Sequence, residues 1–278
     1  MSGQPSATRS PDPRSPDPRS PDPRSPDDWD SHWTNYAGTN ELNPANDYRR
    51  QLIHEALDLE SGAQPVSLLE LGCGHGHFAA DLLRSHPRVR FVGLDRSAAG
   101  VQLASEKVPA GVFLQADLAQ PESLPAQYRG FANRAVCSEV LEHVDDPAAL
   151  LRGARALFAP GCRVVITVPG GPMSAFDRHI GHRRHFTRDA LTRVIRDAGL
   201  EPIRVEGAGF PFFNAYRLAV VARGDRLIAD AAPDSGRPLP ISARAAMLAF
   251  STLFRFNRAQ GRWGWQLLAV AEEPRGHA

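Results

Sequence analysis

The segment Leu68-Leu-Glu-Leu-Gly-Cys-Gly-His-Gly76 constrains this chain more than any other. An apolar run enters three alternate glycines, Gly72, Gly74 and Gly76, and a helical pattern follows from His77 to His86. Glycine has no Cβ, so such a turn is tight and lets a ligand approach the backbone closely. The helix that follows offers free N–H groups and positive potential to a carboxylate or phosphate. The segment predicts a strand, a ligand-facing turn and a helix, which is the opening unit of a parallel α/β sheet.

The rest of the chain keeps that rhythm. Val66–Leu71, Val89–Leu94, Val112–Gln115, Ala135–Ser138 and Arg163–Val168 read as strands, and Glu201–Gly207 and Trp265–Ala271 as two later ones. Helices are expected at Tyr48–Leu57 (stopping by Ser61-Gly62), Ser97–Lys107, Pro147–Phe158 and Thr187–Gly199. The last of these opens on a capping threonine and closes on glycine. Alternating units of this kind imply a mostly parallel, seven-stranded sheet with helices on both faces. Between the last two strands lies an insertion, 209–262, with helical patterns at Phe212–Ile228 and Ala243–Phe256 and a Pro/Gly/Asp-rich stretch, Ala232–Pro240, between them. Such an insertion is a natural substrate cap or dimer interface.

Residues 1–28 are different. Ser10-Pro-Asp-Pro-Arg14 recurs from Ser15 and Ser20 and decays at Ser25. Frequent proline and the lack of apolar side chains predict a disordered tail. Residues 29–278 then form one domain: an N-terminal helical lid (29–62) carrying Trp29, Trp33 and Tyr36, a core (66–208), the insertion, and a last strand within 263–273.

Composition excludes several function classes. A net charge of +1 provides no global field for nucleic acid or anionic membrane. Cys73, Cys137 and Cys162 are odd in number and without CxxC spacing, which fits a reducing compartment rather than a disulfide framework. No run approaches membrane-helix length. A cytoplasmic protein with no membrane or nucleic-acid partner is the expectation. The single lysine, Lys107, among 32 basic residues reflects a GC-rich genome rather than a binding surface.

Asp95 ends the second strand, where an acid can accept hydrogen bonds from both hydroxyls of a ribose. The glycines and this acid alone would also permit a nicotinamide dinucleotide and an oxidoreductase. Here, however, the spacing is GxGxG, and His77 stands at the third position of GxGxxG. Phe113-Leu-Gln-Ala-Asp117-Leu118 then places an acid and an apolar side chain after the third strand, and Val136-Cys-Ser-Glu-Val-Leu-Glu-His-Val144 follows the fourth. With Ala159-Pro-Gly-Cys-Arg-Val-Val-Ile-Thr-Val-Pro169, the series resembles the class I S-adenosylmethionine-dependent methyltransferases over residues 66–208. The resemblance implies a Rossmann-like fold and S-adenosylmethionine as methyl donor. It implies that Glu70 and the loop Gly72, Cys73, Gly74, Gly76 hold the methionine part and Asp95, with adjoining Arg96, the ribose. Asp117 and Leu118 would take the adenine, and Ser138 would line the methyl-donor side.

Methyl transfer to a hydroxyl needs alignment and loss of a proton, to a base or under a metal's influence. In Glu139-Val-Leu-Glu142-His143, a helix would put positions 139, 142 and 143 on one face. The expected catalytic pair is His143 and Glu142 without metal. The alternative is a divalent ion on Glu139, Glu142, His143 and His182. That arrangement resembles metal-assisted O-methyltransferases, including ubiquinone-pathway and small-RNA 2′-O-methylating enzymes. The flanking aromatics, Trp29 to Tyr36 and Phe210, Phe212, Phe213 and Tyr216, suit a small phenolic or polyketide-like acceptor. An RNA 2′-O-methyltransferase and an oxidoreductase are the rival readings, and a homodimer fits the insertion.

Overall fold

The computed structural model describes residues 29–30, 43–60, 64–224, 241–258 and 260–276. The Pro/Asp/Arg/Ser repeat, Trp33, Tyr36, Ser61-Gly62, Ile228 and the 232–240 stretch lie outside the described residues.

The first helix is α1 (Pro44–Leu57), followed by β1 (Ser67–Leu71), α2 (His77–Ser85), β2 (Arg90–Asp95), α3 (Ala98–Lys107) and β3 (Val112–Gln115). Next come β4 (Ala132–Ser138), α4 (Pro147–Ala154), β5 (Phe158–Pro169), α5 (Ala175–His179), α6 (Arg188–Asp197) and β6 (Glu201–Ala208). The insertion holds α7 (Phe212–Arg223) and α8 (Ile241–Leu253), and β7 (Gln266–Glu272) closes the chain's sheet. The strand order is β3-β2-β1-β4-β5-β7-β6 in one seven-stranded sheet. Strands β1 to β5 pair in parallel, while β7 runs antiparallel between β5 and β6. This is the expected mostly parallel, Rossmann-like class I methyltransferase sheet.

Local chemistry explains the element ends. Asn43 caps α1 by accepting from the Ala45 N–H at 3.0 Å, and Pro44 opens the helix without needing a donor. The helix ends at Leu57, ahead of the expected stop, because Asp58 turns left-handed at φ 51°. Ser97 and Thr187 cap α3 and α6 through their hydroxyls. The helix expected over Pro147–Phe158 stops at Ala154, tightens through Arg155–Leu157, and gives Phe158 to β5. Strand β5 therefore starts earlier than its apolar run, and its Pro160-Gly161 step sits where the β4 register slips. Helix α5 was not expected; Ser174 and Asp177 form a capping box that starts it.

Each face of the sheet carries its own apolar layer. On one, Leu150, Leu151, Leu191 and Ile195 from α4 and α6 pack on Leu69, Leu71, Val164 and Ile166. On the other, α1, α2 and the insertion meet: Tyr48, Leu52, Ile53, Phe78 and Leu82 pack with Phe213 and Phe254. The Tyr48 ring lies 5.7 Å from Phe213 and 5.5 Å from Phe254. Each buried Leu, Ile or Phe here contributes about 1.5–3 kcal/mol. The first helix and the insertion are thus fixed to one another above the carboxyl edge of the sheet. Among the described residues no helix is long and apolar enough to cross a membrane.

Candidate active site

A cavity of about 440 Å³ opens at the carboxyl ends of β1, β4 and β5. Its wall includes Glu70, Gly72, Cys73 and Gly74 at one end and Ser138, Glu139, His143 and His182 at the other. Asn43, Asn46 and Arg49 of the α1 region, and Phe213, Tyr216 and Arg217 of α7, close over it.

The glycine loop is built by strand-end hydrogen bonds. The Leu94 carbonyl accepts from Gly72 N at 2.7 Å and Cys73 N at 3.0 Å. Asp95 Oδ2 accepts from Gly74 N at 2.7 Å, and its Oδ1 accepts from Ser97 N at 2.8 Å. Asp95 therefore stitches the loop to the start of α3. Burial raises its pKa, and these backbone donors oppose the rise. Gly72 has φ +77°, and a Cβ there would stand 2.4 Å from Val140 Cγ2. Glu70 is buried beneath the loop, and its Oε2 has no partner. Burial, then the neighbouring Asp95, pushes its pKa well above the ordinary glutamate value. A cradle without side-chain bulk over a buried carboxyl that lacks a donor fits the amino-acid end of S-adenosylmethionine.

Asp95 and the other residues expected on the cofactor side fall beyond the cavity wall. Arg96 is exposed. Asp117 caps its own turn, accepting from Ala119 N and Gln120 Nε2 at 3.0 Å each, and Leu118 is buried in the core. Gly76 stands at the start of α2, packed against Ala104.

The second half of the cavity corrects the helical reading of residues 139–143. Glu139 is left-handed at φ 56°, and only Leu141–His143 form a tight 3-10 turn. Glu139 consequently leaves the other two. Its Oε1 accepts from Gln266 Nε2 at 2.9 Å and Thr167 Oγ1 at 3.2 Å, while Arg49 donates to Oε2 at 3.1 Å. Ser138 Oγ and Thr167 Oγ1 extend this network at 2.8 Å. Glu142 is fully buried, and neither carboxylate oxygen has a hydrogen-bond partner. Burial, then Glu139, pushes its pKa well up.

Histidines complete this end. Ligand atoms of Glu142, His143 and His182 lie within 4.8 Å of one another, so the turn does gather three of the four residues of the metal alternative. The His143 ring meets Trp29 and His182 edge to face, each at 4.7 Å. Trp29 is held there by its neighbour: Asp30 Oδ1 accepts from Ser97 Oγ at 2.5 Å and Ala99 N at 3.1 Å. His182 stands beside His143 in the cavity wall, its pKa pushed down to about 4 chiefly by burial. Asp177 is buried too, but Arg217 at 2.7 Å and Ser174 outweigh burial and hold it below the ordinary carboxylate range.

Arg49, Thr167, Asp177, Arg217, Trp265 and Gln266 were not anticipated as site residues. Only Asp177 carried a signal, the Ser-x-x-Asp spacing of a capping box at Ser174.

A family model for a methyltransferase domain matches residues 45–205. The ubiquinone biosynthesis O-methyltransferase of Ralstonia nicotianae is 26% identical over 227 residues, covering 74% of this chain and 90% of that protein. That of Aeromonas salmonicida is 26% identical over 204 residues, covering 68% and 84%. Among solved structures, the [4+2]-cyclase SpnF superposes with a TM-score of 0.55 at 19% identity, covering 83% of this chain and 82% of that one. A phosphoethanolamine N-methyltransferase 2 from Haemonchus contortus, solved with S-adenosylmethionine, gives 0.54 at 15%, covering 81% and 52%. These matches set aside the oxidoreductase reading that the glycines and Asp95 had left open. The strand order and the family match agree: the chain belongs to the class I S-adenosylmethionine-dependent methyltransferases.

Proposed function

We propose that the chain O-methylates a hydroxyl of a small molecule of phenolic or polyketide-like type, with His143 receiving the hydroxyl proton. The carrying observation is that one cavity runs from the glycine loop to His143. S-adenosylmethionine, when bound, supplies a methyl group on a positively charged sulfur. The chain's own task is to hold the two reactants in line, which is worth up to about 7–11 kcal/mol, and to remove a proton. Glu70 and Gly72 to Gly74 hold the amino-acid end, while the ribose and adenine extend past the cavity wall along the ends of β2 and β3, toward Asp95 and Arg96 and toward Asp117, with Leu118 behind it in the core. Ser138 lines the boundary between donor and acceptor. Glu142, the other member of the catalytic pair, lies beside His143; burial and Glu139 favour its uncharged form, so it offers a buried carboxyl rather than a counter-charge. Trp29, Phe176, Phe213, Tyr216 and Trp265 give the acceptor end an aromatic wall. Of the expected lid (29–62), Trp29 and α1 lie over this end, and of the expected cap (209–262), α7 and α8 do. The relatives named as ubiquinone biosynthesis O-methyltransferases support an oxygen acceptor.

The test is transfer of isotope-labelled methyl across phenols, sugars, amines and RNA. Transfer to a phenol, lowered about 10²–10⁴-fold in His143→Ala, is expected. Transfer confined to amines or RNA overturns the reading.

A second reading is favoured by Glu142, whose two buried oxygens lack donors beside two histidines. Glu142, His143 and His182 would then seat a divalent ion that lowers the acceptor's pKa. Elemental analysis with a chelator-treated assay separates the two. Stoichiometric metal needed for turnover selects the second, and full activity in chelator the first.

A further inference from the structure

Helix α7 turns Phe213, Tyr216, Arg217 and Val220 to the cavity, the i, i+3, i+4, i+7 stripe of one helix face. Three of these side chains are aromatic or apolar, and the fourth is a guanidinium. Arg217 is largely buried, and among the described residues it makes one hydrogen bond, from Nη2 to Asp177 Oδ2 at 2.7 Å. That oxygen also accepts from Ser174 N and Ser174 Oγ, so the carboxylate is well supplied while most of the arginine's N–H donors are unspent. Arg49 reaches the same cavity from α1, where it donates to Glu139 and Asn46. The two helices are tied together close to both arginines, because the Tyr216 hydroxyl donates to Asn43 Oδ1, the cap of α1, at 3.1 Å. Burial raises the pKa of that hydroxyl, and first Arg217, then Arg49, oppose the rise. Both guanidiniums therefore act on one part of the cavity.

Asp177 and Glu139 balance the two charges, and their own oxygens are already taken, those of Glu139 by Gln266, Thr167 and Arg49. What this wall has left to offer is donor capacity on the arginines. A wholly apolar acceptor seated here strips water from those donors and returns nothing. A carboxylate returns paired, charge-assisted bonds to the planar fork of an arginine. We infer that the acceptor is a phenol carrying a carboxylate, and that Arg217, assisted by Arg49, binds the carboxylate while the aromatic wall holds the ring. The inference rests on the O-methylation reading and names its substrate class, with Arg217 as the specificity-determining residue.

The experiment gives the full chain 3,4-dihydroxyphenylacetate or its methyl ester, which share a catechol ring and differ in charge. Two quantities are measured: labelled methyl transfer, as kcat/KM, and affinity by calorimetry with S-adenosylhomocysteine bound. In wild type the acid exceeds the ester by about 10–100-fold in both, the size of a hydrogen bond to a charged group, and the difference in transfer lies in KM. Arg217→Gln brings the ratio close to unity. Because that variant leaves Asp177 without its arginine, Asp177→Asn combined with Arg217→Gln is measured beside it. Both charges then go, the Ser174 bonds can remain, and the ratio again falls close to unity. S-adenosylhomocysteine binding shows that each variant is folded. An arginine that only steadies Asp177 leaves the acid-to-ester ratio the same in wild type and variants. That result, or a wild type that takes the acid no better than the ester, overturns the inference. Failure of the O-methylation reading looks different: neither catechol is methylated, while the ratio of affinities still decides the carboxylate site.

Discussion

Replacing Gly76 by alanine tests whether the donor loop is set by backbone geometry and by the helix packed against it. Gly76 has φ +73°, and its added Cβ would meet Ala104 Cβ at 2.9 Å and Ala104 Cα at 3.0 Å. The left-handed conformation costs an L-residue about 1–2 kcal/mol. Ala104 is fully buried in α3 and has no flexible atoms to yield, so the contact behaves as overpacking, at about 1–3 kcal/mol. Reduced freedom of the unfolded chain returns about 0.4–1 kcal/mol. The net is a loss of about 2–4 kcal/mol, and Tm falls by about 5–15 °C at the 2–4 °C per kcal/mol of a domain this size. Gly130→Ala is the control. It has φ +63°, and nothing lies within 4 Å of its added Cβ, so it reports the backbone cost alone. Thermal and urea unfolding of both variants isolates the Ala104 contact as the difference. If Gly76→Ala melts with Gly130→Ala, α3 does not fix the loop, and the reasoning is refuted.

Glu70 gives a pH test. Its pKa in the folded state is raised by burial, so its contribution to stability is full below the ordinary glutamate value of 4.5 and is lost as pH rises through the folded pKa; Glu70→Gln should flatten the fall of stability with pH between those two values, and an unchanged slope counts against it. Gly74→Val should abolish the thermal shift given by S-adenosylhomocysteine, and a retained shift would remove the loop from the donor site. Arg155 holds Glu273 through two bonds of 2.7 Å, so Glu273→Gln should cost about 1–3 kcal/mol in urea unfolding; a loss within error would mark the pair as solvent-screened. Replacing residues 209–262 by a short turn should spare donor binding and remove methyl transfer, and normal turnover by that variant refutes the cap.

The framework was legible because each βα unit is encoded locally. The apolar run at 68–71, the three glycines and Asp95 announce the donor loop within one stretch of chain, and the loop's bonds stay within β1, β2 and their turns. What sequence could not give was anything fixed by partners far along the chain. The helical reading of 139–143 failed because Glu139 is drawn into a left-handed turn where Arg49, Thr167 and Gln266 meet its carboxylate, and the spacing of ExxEH contains none of them. The place of β7 between β5 and β6 depends in the same way on pairing across the whole sheet. His182 was readable only as one member of the metal alternative, and nothing in its spacing placed it at the cavity wall with His185 at its Nδ1.

This division follows from what each half of the cavity does. On the proposed reading every donor molecule is the same, so its cradle can be a fixed backbone shape, which a glycine loop bonded to the next strand supplies with little help from side chains. On the same reading the other end is the acceptor end and has to recognise a particular molecule. It is assembled from α1, the β4 turn, α5, α7, α8 and the approach to β7, contributing Arg49, His143, Phe176, Arg217, Met247 and Trp265 in turn. Two of those elements, α7 and α8, belong to the insertion, which meets α1 through Phe213 of α7 and Phe254, just after α8, against Tyr48. Substitutions on the cavity side of the insertion can therefore change the acceptor wall while Asp95 and the glycine loop keep their bonds.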